Sequence, residues 1–249
     1  MLGVEACETL RPASAGAGIL PAQIPAEAAP LPPVALAAPG TALRAALRPG
    51  LKRAMDVLGA LALLLACLPA FLVIALLVRR DGGPVFYAHP RIGRGGRPFG
   101  CLKFRSMVVD ADRRLAALLE QDPAARAEWE ARRKLRHDPR VTWIGRFLRA
   151  TSLDELPQLL NVLRGEMSLV GPRPVQAAEL ETHYGAAAAH YLSVRPGITG
   201  LWQVSGRSDT SYASRVALDV RYAANPSLWT DIRILLRTPA AVLLRRGAY

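Results

Sequence analysis

From Val57 to Val78 the chain runs for 22 residues without a charged side chain (VLGALALLLACLPAFLVIALLV). At 1.5 Å per residue such a helix is about 33 Å long, enough to cross the hydrocarbon core of a bilayer. A soluble helix of this length would need apolar protein on every side, and few other segments could supply it. Basic pairs flank both ends, Lys52-Arg53 before and Arg79-Arg80 after. The bias of positive charge toward the cytoplasmic face therefore draws both ends to the same side. Pro69 falls in the middle, where a missing N–H and a ring clash break a helix. These features predict a re-entrant hairpin that enters, breaks at Leu68-Pro69 and returns. Asp56, one turn from the boundary, is expected to meet Arg53 or headgroup water.

The remaining composition narrows the partners. Lys and Arg exceed Asp and Glu by 32 − 20 = +12, and the pI is near 10.6, so anionic ligands are favoured. Residues 1–50 hold Arg11, Arg44 and Arg48 against Glu5, Glu8 and Glu27, so all the excess charge lies after residue 50. This leading stretch is rich in Ala and Pro and has no helical or strand period. Residues 1–47 are thus expected to be a disordered tail, with no basic-then-apolar secretion signal. Cys7, Cys67 and Cys101 are far apart and form no CxxC pair, which argues against a disulfide scaffold or a structural zinc site. Aromatic residues are only 6%, too few for stacking along single-stranded nucleic acid, and no nucleic-acid partner is expected.

After the apolar run, GGPVFYAHPRIGRGGRPFGCLKFRSM reads as a β-hairpin turning at Arg94-Gly95-Gly96-Arg97. Residues 108–136 read as charged surface helix interrupted at Pro123. The fold class is α+β: a mostly helical catalytic domain over 81–249 with a β-hairpin, anchored by one Pro-broken re-entrant membrane helix over 48–80. Amphipathic interfacial helices would support it. The segment Pro226–Arg246 mixes Trp229, Ile234, Leu235 and Val242 with arginines and reads either as interfacial or as packed on the domain.

Usable chemical groups concentrate in IGRFLRATSLDELPQLLNVLRGEMSLVGPRP. Pro157 belongs in the first turn of a helix, so the helix through Leu159–Leu163 begins just before it and Gly165 stops it. That places Asp154 and Glu155 at the helix mouth. One reading is local: Ser152-x-x-Glu155 is a capping box and Asp154 a first-turn acid. The other is catalytic. Arg146, Arg149, Arg164 and Arg173 surround the pair, and arginine forks and helix N-termini both suit phosphate oxygens. Two adjacent carboxylates among such donors can divide roles, one as nucleophile and the other holding Mg²⁺. Gly171-Pro172-Arg173-Pro174 presents Arg173 on a rigid loop. Lys103 and Arg105 share one strand face with Phe104 on the other, a pattern that alone fits a solvated strand. No GxSxG, GxxxxGK[ST] or HExxH occurs, and His89, His137, His183 and His190 are scattered.

Taken together, these motifs resemble the bacterial sugar transferases of the monotopic phosphoglycosyl transferase family, the polyprenyl-phosphate sugar-1-phosphate transferases. The matching elements are Lys52-Arg53-x-x-Asp56, the Pro69-broken helix, KFRSM at 103–107, DPRVTWIGRFLR at 138–149, TSLDELPQLLNVLRGEMSLVGPRP at 151–174, RPGITGLWQVSGR at 195–207 and the terminal RRGAY. They run in order from about Leu51 to the C-terminus. The resemblance implies transfer of a hexose-1-phosphate, glucose or galactose type, from a UDP-sugar to undecaprenyl phosphate with release of UMP. This is the first membrane step of exopolysaccharide or glycoconjugate synthesis. It implies Asp154 as nucleophile forming an aspartyl-phosphosugar intermediate, and Glu155 as the Mg²⁺ ligand. Arg149, Arg173 and Arg195 are implied as phosphate contacts, with Lys103 and Arg105 as weaker ones. The implied location is the bacterial inner membrane, with the catalytic domain facing the cytoplasm. Where some relatives carry Ser before the helix-breaking proline this chain has Leu68, and the Pro/Ala tail stands where larger relatives carry transmembrane helices.

Two rival functions make different demands. A membrane phosphohydrolase with the same aspartyl intermediate would release phosphate without an acceptor. A non-enzymatic basic membrane scaffold would tolerate loss of Asp154 and Glu155 and need the arginines only for charge.

Overall fold

The computed structural model describes residues 39–132, 134–206 and 211–243. The apolar run forms two helices, α1 (Pro39–Ala66) and α2 (Leu68–Arg79), separated by Cys67 alone. Among the described residues no single helix is long and apolar enough to cross a membrane. Pro49–Ala66 and Leu68–Arg79 meet that test only as a pair, bent by 66°. The break falls at Cys67, one residue before the predicted position. Pro69 thereby sits in the first turn of α2, where its missing N–H has no intrahelical partner to lose. Backbone bonds continue on both sides of the bend, from Cys67 N–H to Leu63 O at 2.9 Å and from Phe71 N–H to Cys67 O at 2.8 Å. The 66° bend makes the pair an elbow, a break of the kind the expected re-entrant segment needs. Helix α1 also begins at Pro39, so residues 39–47 are helical where a tail was expected. The rest of that predicted tail lies outside the described residues.

The hairpin is present. Strands β1 (Phe86–Ile92) and β2 (Pro98–Phe104) pair antiparallel from Phe86↔Phe104 to Ile92↔Pro98, around a 3₁₀ turn at Arg94–Gly96. Gly95 and Gly96 take φ of +69° and +78°, the left-handed region that glycine enters without strain. Pro123 divides the charged surface helix into α3 (Ala111–Gln121) and α4 (Pro123–Arg132), as predicted. Then follow α5 (Trp143–Thr151), a 3₁₀ turn at Leu153–Glu155, α6 (Gln158–Arg164) and β3 (Ser168–Val170). Helices α7 (Ala177–His183) and α8 (Ala188–Ser193) lead to β4 (Gly197–Thr199), which pairs parallel with β3. Short α9 (Leu201–Val204), α10 (Tyr212–Ala224) and α11 (Leu228–Leu243) complete the order. The architecture is thus α+β and mostly helical, as predicted.

Three buried clusters hold it together. In the first, Ala60 of α1 packs with Cys101, Leu159, Val162, Met167, Leu169, Val170, Tyr222 and Ile234. Gly59 lets α1 pack closely there, since a Cβ would meet Leu169 Cδ1 at 2.6 Å and make that side chain shift. The second joins Ile74 and Val78 of α2 to Phe104, Ile144 and Leu148. Phe71, Phe86 and Phe104 tilt against one another, with ring centroids 4.8–5.9 Å apart. The third contains Val175, Tyr184 and Tyr191. Both arms of the elbow therefore bury one face on the domain. Their other face exposes Leu58, Leu61, Leu65, Leu68, Leu72 and Leu76.

Asp56 meets neither Arg53 nor headgroup water. Its Oδ1 accepts from Lys52 Nζ, Ser168 Oγ and Leu169 N, each at 3.0 Å, and the residue is fully buried. Lys52 Nζ also pairs with Asp231 of α11 at 3.1 Å. Arg53 instead donates to Val162 O and Leu163 O at 2.6 and 2.9 Å, satisfying carbonyls at the end of α6. Helix α11 combines both readings of its segment. Asp231 and Ile234 are buried, while Trp229, Ile232 and Leu236 form an exposed stripe at helical spacing.

Candidate active site

Helix α5 ends at Ser152, which takes φ 58°, ψ 16°. It is the one non-glycine with positive φ among the described residues. This left-handed position costs about 1–3 kcal/mol and reverses the chain after α5. The capping box predicted from Ser152-x-x-Glu155 does not form, because Ser152 makes no side-chain cap. The turn that follows is fixed by Leu153 and Leu156, which pack against the second cluster, Leu156 also touching the first. Pro157 is the N-cap of α6, so the helix begins just after it rather than just before, and Gly165 closes it at φ +83° as predicted. Asp154 and Glu155 are left on a pinned turn between two apolar clusters.

Opposite them stands Lys103 of β2. Its Nζ lies 3.2 Å from Asp154 Oδ2 and 2.7 Å from Glu155 Oε1. Strand alternation sends the next residue, Phe104, the other way, into the aromatic contact with α2. Asn161 of α6 locks the strand in place. Its Oδ1 accepts from Leu102 N at 2.9 Å and its Nδ2 donates to Gly100 O at 2.8 Å, while a second donation goes to Glu166 Oε2 at 2.6 Å. Burial raises the Asp154 pKa and the neighbouring Glu155 charge adds to it, against the opposing pull of Lys103 and Arg149. For Lys103, burial works against the charged form, but the two carboxylates outweigh it and the pKa is raised. The arrangement is a pair of carboxylates bridged by one cation and partly withdrawn from solvent.

The other predicted contacts divide. Arg149, exposed in the last turn of α5, donates from Nε to Ser106 Oγ at 2.9 Å, and its charge favours ionised Asp154. Arg173 is exposed on the loop after β3, with Cζ 5.9 Å from the Trp202 ring centre. The rigidity of this loop comes from backbone contact. Gly171 N–H donates to Thr199 O at 2.9 Å, Gly197 N–H donates to Pro172 O at 2.8 Å, and a Cβ on Gly171 would sit 2.3 Å from Arg195 O. Arg195 itself donates from Nε to Gly165 O at 2.8 Å, at the far end of α6, roughly 10 Å along the helix from the acid pair. Burial, with Arg53 and Arg94 nearby, lowers its pKa.

Arg105 does not serve the pair either. It forms a two-pronged ion pair with Asp81 and donates to Pro84 O at 2.7 Å and Val78 O at 3.1 Å, clasping the end of α2. A guanidinium beside free helix-terminal carbonyls is drawn to them rather than left in the strand face. Sequence reasoning ranked Lys103 with Arg105 and did not single out Asn161. The Lys103 partners lie more than fifty residues downstream, so nothing in the local pattern distinguishes it.

Among the described residues no three His, Cys, Asp or Glu side chains converge as a metal cage. The donor set still fits Mg²⁺, which takes one or two carboxylates and completes its shell with water and substrate phosphates. Asp154 and Glu155 supply hard oxygens of that kind.

The family model for bacterial sugar transferases matches residues 47–245. The chain belongs to that family. It is 57% identical over 199 residues to the UDP-galactose-lipid carrier transferase of Erwinia amylovora, covering 80% of this chain and 42% of that protein. It is 55% identical over 199 residues to the exopolysaccharide production protein ExoY of Sinorhizobium fredii, covering 80% and 88%. It is 53% identical over 199 residues to the undecaprenyl-phosphate galactose phosphotransferase of Salmonella typhimurium, covering 80% and 42%. The match spans about two-fifths of the first and third of these relatives, and most of ExoY.

Proposed function

We propose that this protein transfers a hexose-1-phosphate from a UDP-sugar to undecaprenyl phosphate in exopolysaccharide synthesis. The observation that carries the reading is the Asp154–Lys103–Glu155 arrangement, built on the strand whose next residue packs against the membrane elbow. The names of the relatives supply the donor and acceptor classes.

Asp154, the more buried acid, is the nucleophile. A carboxylate oxygen attacks the sugar-proximal phosphorus, the bond from that phosphorus to the UMP oxygen breaks, and UMP leaves with the electron pair. An aspartyl-phosphosugar results. An oxygen of the lipid phosphate then attacks the same phosphorus and frees the Asp154 carboxylate. Partial desolvation raises the energy of the free carboxylate, while Lys103 and Arg149 keep it ionised. Glu155, the more open acid, is the Mg²⁺ ligand, and the ion would neutralise phosphate charge during transfer. Glu155 pairs with Lys103, so this lysine orients the acid that would hold the metal.

The acceptor dictates a bilayer surface. The exposed leucines of α1 and α2 would lie among acyl chains as a re-entrant helix, with Trp229, Ile232 and Leu236 of α11 at the interface. The catalytic domain faces the cytoplasm of the inner membrane, where nucleotide sugars are made. Labelling cysteines placed before α1 and after Arg80 in intact cells tests this. Both ends should be reactive only from inside, and opposite accessibility excludes the re-entrant topology.

UMP release by the detergent-solubilised protein tests the reaction. With undecaprenyl phosphate, Mg²⁺ and a panel of UDP-sugars, one hexose donor should give UMP, and both Asp154→Asn and chelation should abolish it. Phosphate release without acceptor would favour the phosphohydrolase. An Asn variant as active as the wild type would refute the mechanism.

A further inference from the structure

Away from the acid pair, the start of α10 holds a cation without adequate partners. Arg215 is only 8% exposed, yet among the described residues its Nε and Nη2 have no hydrogen-bond partner. Its guanidinium lies between two rings, 4.9 Å from the Trp202 centre and 4.8 Å from that of Tyr212. Nη1 lies 3.9 Å from Glu179 Oε2, a loose contact. Glu179 is already engaged by Gln176 N at 3.2 Å, Arg91 Nη1 at 3.1 Å and Tyr212 Oη at 3.0 Å. Asp219, the other nearby acid, accepts from Tyr184 Oη at 2.8 Å, and burial pushes its pKa up to about 6. Buried donors left unmade are costly and rare, most of all on a charged group.

The unpaired edge has a definite chemistry, and because both nitrogens are covered by protein a ligand reaches them by displacing the side chains over them. Nε–H and Nη2–H of one guanidinium are parallel donors that match two oxygens of a phosphate. The surroundings favour an anion. Helix α10 is capped by Ser211 and carries no acid in its first turn, so its positive end is uncompensated. Arg173 approaches the same Trp202 ring at 5.9 Å from the rigid loop. Glu179, which contacts Arg215, also pairs with Arg91 of β1, and the register partner of Arg91, Phe99, shares one face of β2 with Lys103, roughly 13 Å along the strand.

We infer that Arg215, together with Arg173 at the Trp202 ring, is a binding site for a substrate phosphoryl group, which the Arg215 Nε–H and Nη2–H grip in a bidentate fork. The inference rests on the transferase reading for its ligands, because that reaction brings two phosphate-bearing substrates to one site. The phosphate belongs either to the nucleotide or to the lipid.

Binding without turnover separates these. Full-length protein in nanodiscs is titrated with UMP, uridine and undecaprenyl phosphate separately, as wild type, Arg215→Gln, Arg215→Lys and Arg173→Gln. Arg215→Gln should weaken one phosphate ligand by about 10–100-fold, the size of a lost charge-assisted hydrogen-bond pair. Arg215→Lys keeps the charge without the fork and should recover only part of that affinity. Arg173 is exposed, so its variant keeps the fold and should lose affinity for the same ligand. A loss for UMP but not uridine assigns the nucleotide phosphate, and a loss for undecaprenyl phosphate alone assigns the lipid phosphate. Unchanged affinity for both in all variants, or an equal loss for uridine and UMP, overturns the site. A wild type that binds UMP but releases none from any UDP-sugar would sink the transferase reading and leave this result standing.

Discussion

Two lysines in this molecule each sit between two carboxylates, and they are used in opposite ways. Lys52 Nζ lies 3.0 Å from Asp56 and 3.1 Å from Asp231, while Lys103 Nζ lies 3.2 Å from Asp154 and 2.7 Å from Glu155. The lysines are similarly exposed, at 23% and 27% of the side chain, and the acids are not. Asp56 and Asp231 show 1% and 2%, against 12% and 32% for Asp154 and Glu155. The first cluster is also saturated. Asp56 takes Ser168 Oγ and Leu169 N besides the lysine, and Asp231 takes Tyr222 Oη at 2.8 Å. Asp154 accepts one hydrogen bond among the described residues, from Lys103. Burial raises the pKa of both Asp154 and Asp231, so a shifted acid by itself does not mark the reactive cluster. Access to a ligand and an unspent lone pair do. One cluster staples the elbow to β3 and α11, and the other, in the proposed mechanism, presents its more open carboxylates to substrate.

Exchanging the readouts breaks this comparison if it is wrong. Asp154→Asn should lower turnover by about three orders of magnitude or more, as removal of a nucleophile does, while the melting temperature changes little. Lys52→Met should do the reverse. Removing one partner of a buried charge cluster costs about 3–5 kcal/mol, because Asp56 and Asp231 are left facing each other without compensation. Chemical denaturation should show that loss, and the specific activity of the surviving folded fraction should stay within a few-fold of wild type. A Lys52 variant that is stable but inactive would place this cluster in the catalytic machinery.

The same contrast explains what was legible in the sequence. The acid pair stood out because Pro157 and Gly165 bound its helix locally, and the hairpin because Gly95-Gly96 is a local turn signal. The elbow was legible as an uncharged run with a proline, but its angle was not, since charge flanks report a side of the membrane and not an angle. Lys52 and Arg53 were in fact spent inside the protein, on Asp56, Asp231 and the α6 carbonyls. What stayed hidden was pairing at long range. Lys103 and Arg105 sit two residues apart with the same pattern, yet one meets Asp154 and the other Asp81. Local rules also yielded to tertiary ones at Ser152, whose left-handed backbone ends α5 and forgoes the capping box its spacing suggests.

The finest division between the clusters lies in how pH reaches them. In the proposed mechanism Asp154 attacks as the carboxylate, and Lys103 is the largest influence opposing the burial that raises its pKa. In Lys103→Met the ionised form loses that support, so the pKa rises further and the reactive carboxylate appears only at higher pH. The ascending acid limb of kcat/KM against pH should therefore move to higher pH. Lys103→Arg, which keeps a charge beside the pair, should move it less. At a pH above the displaced limb, Lys103→Met should recover part of its loss, leaving a residual deficit of about tenfold from the missing orientation of Glu155. An acid limb that does not move would mean that Lys103 acts on Glu155 alone, and that Asp154 is held ionised by Arg149 or by the bound substrate and its metal.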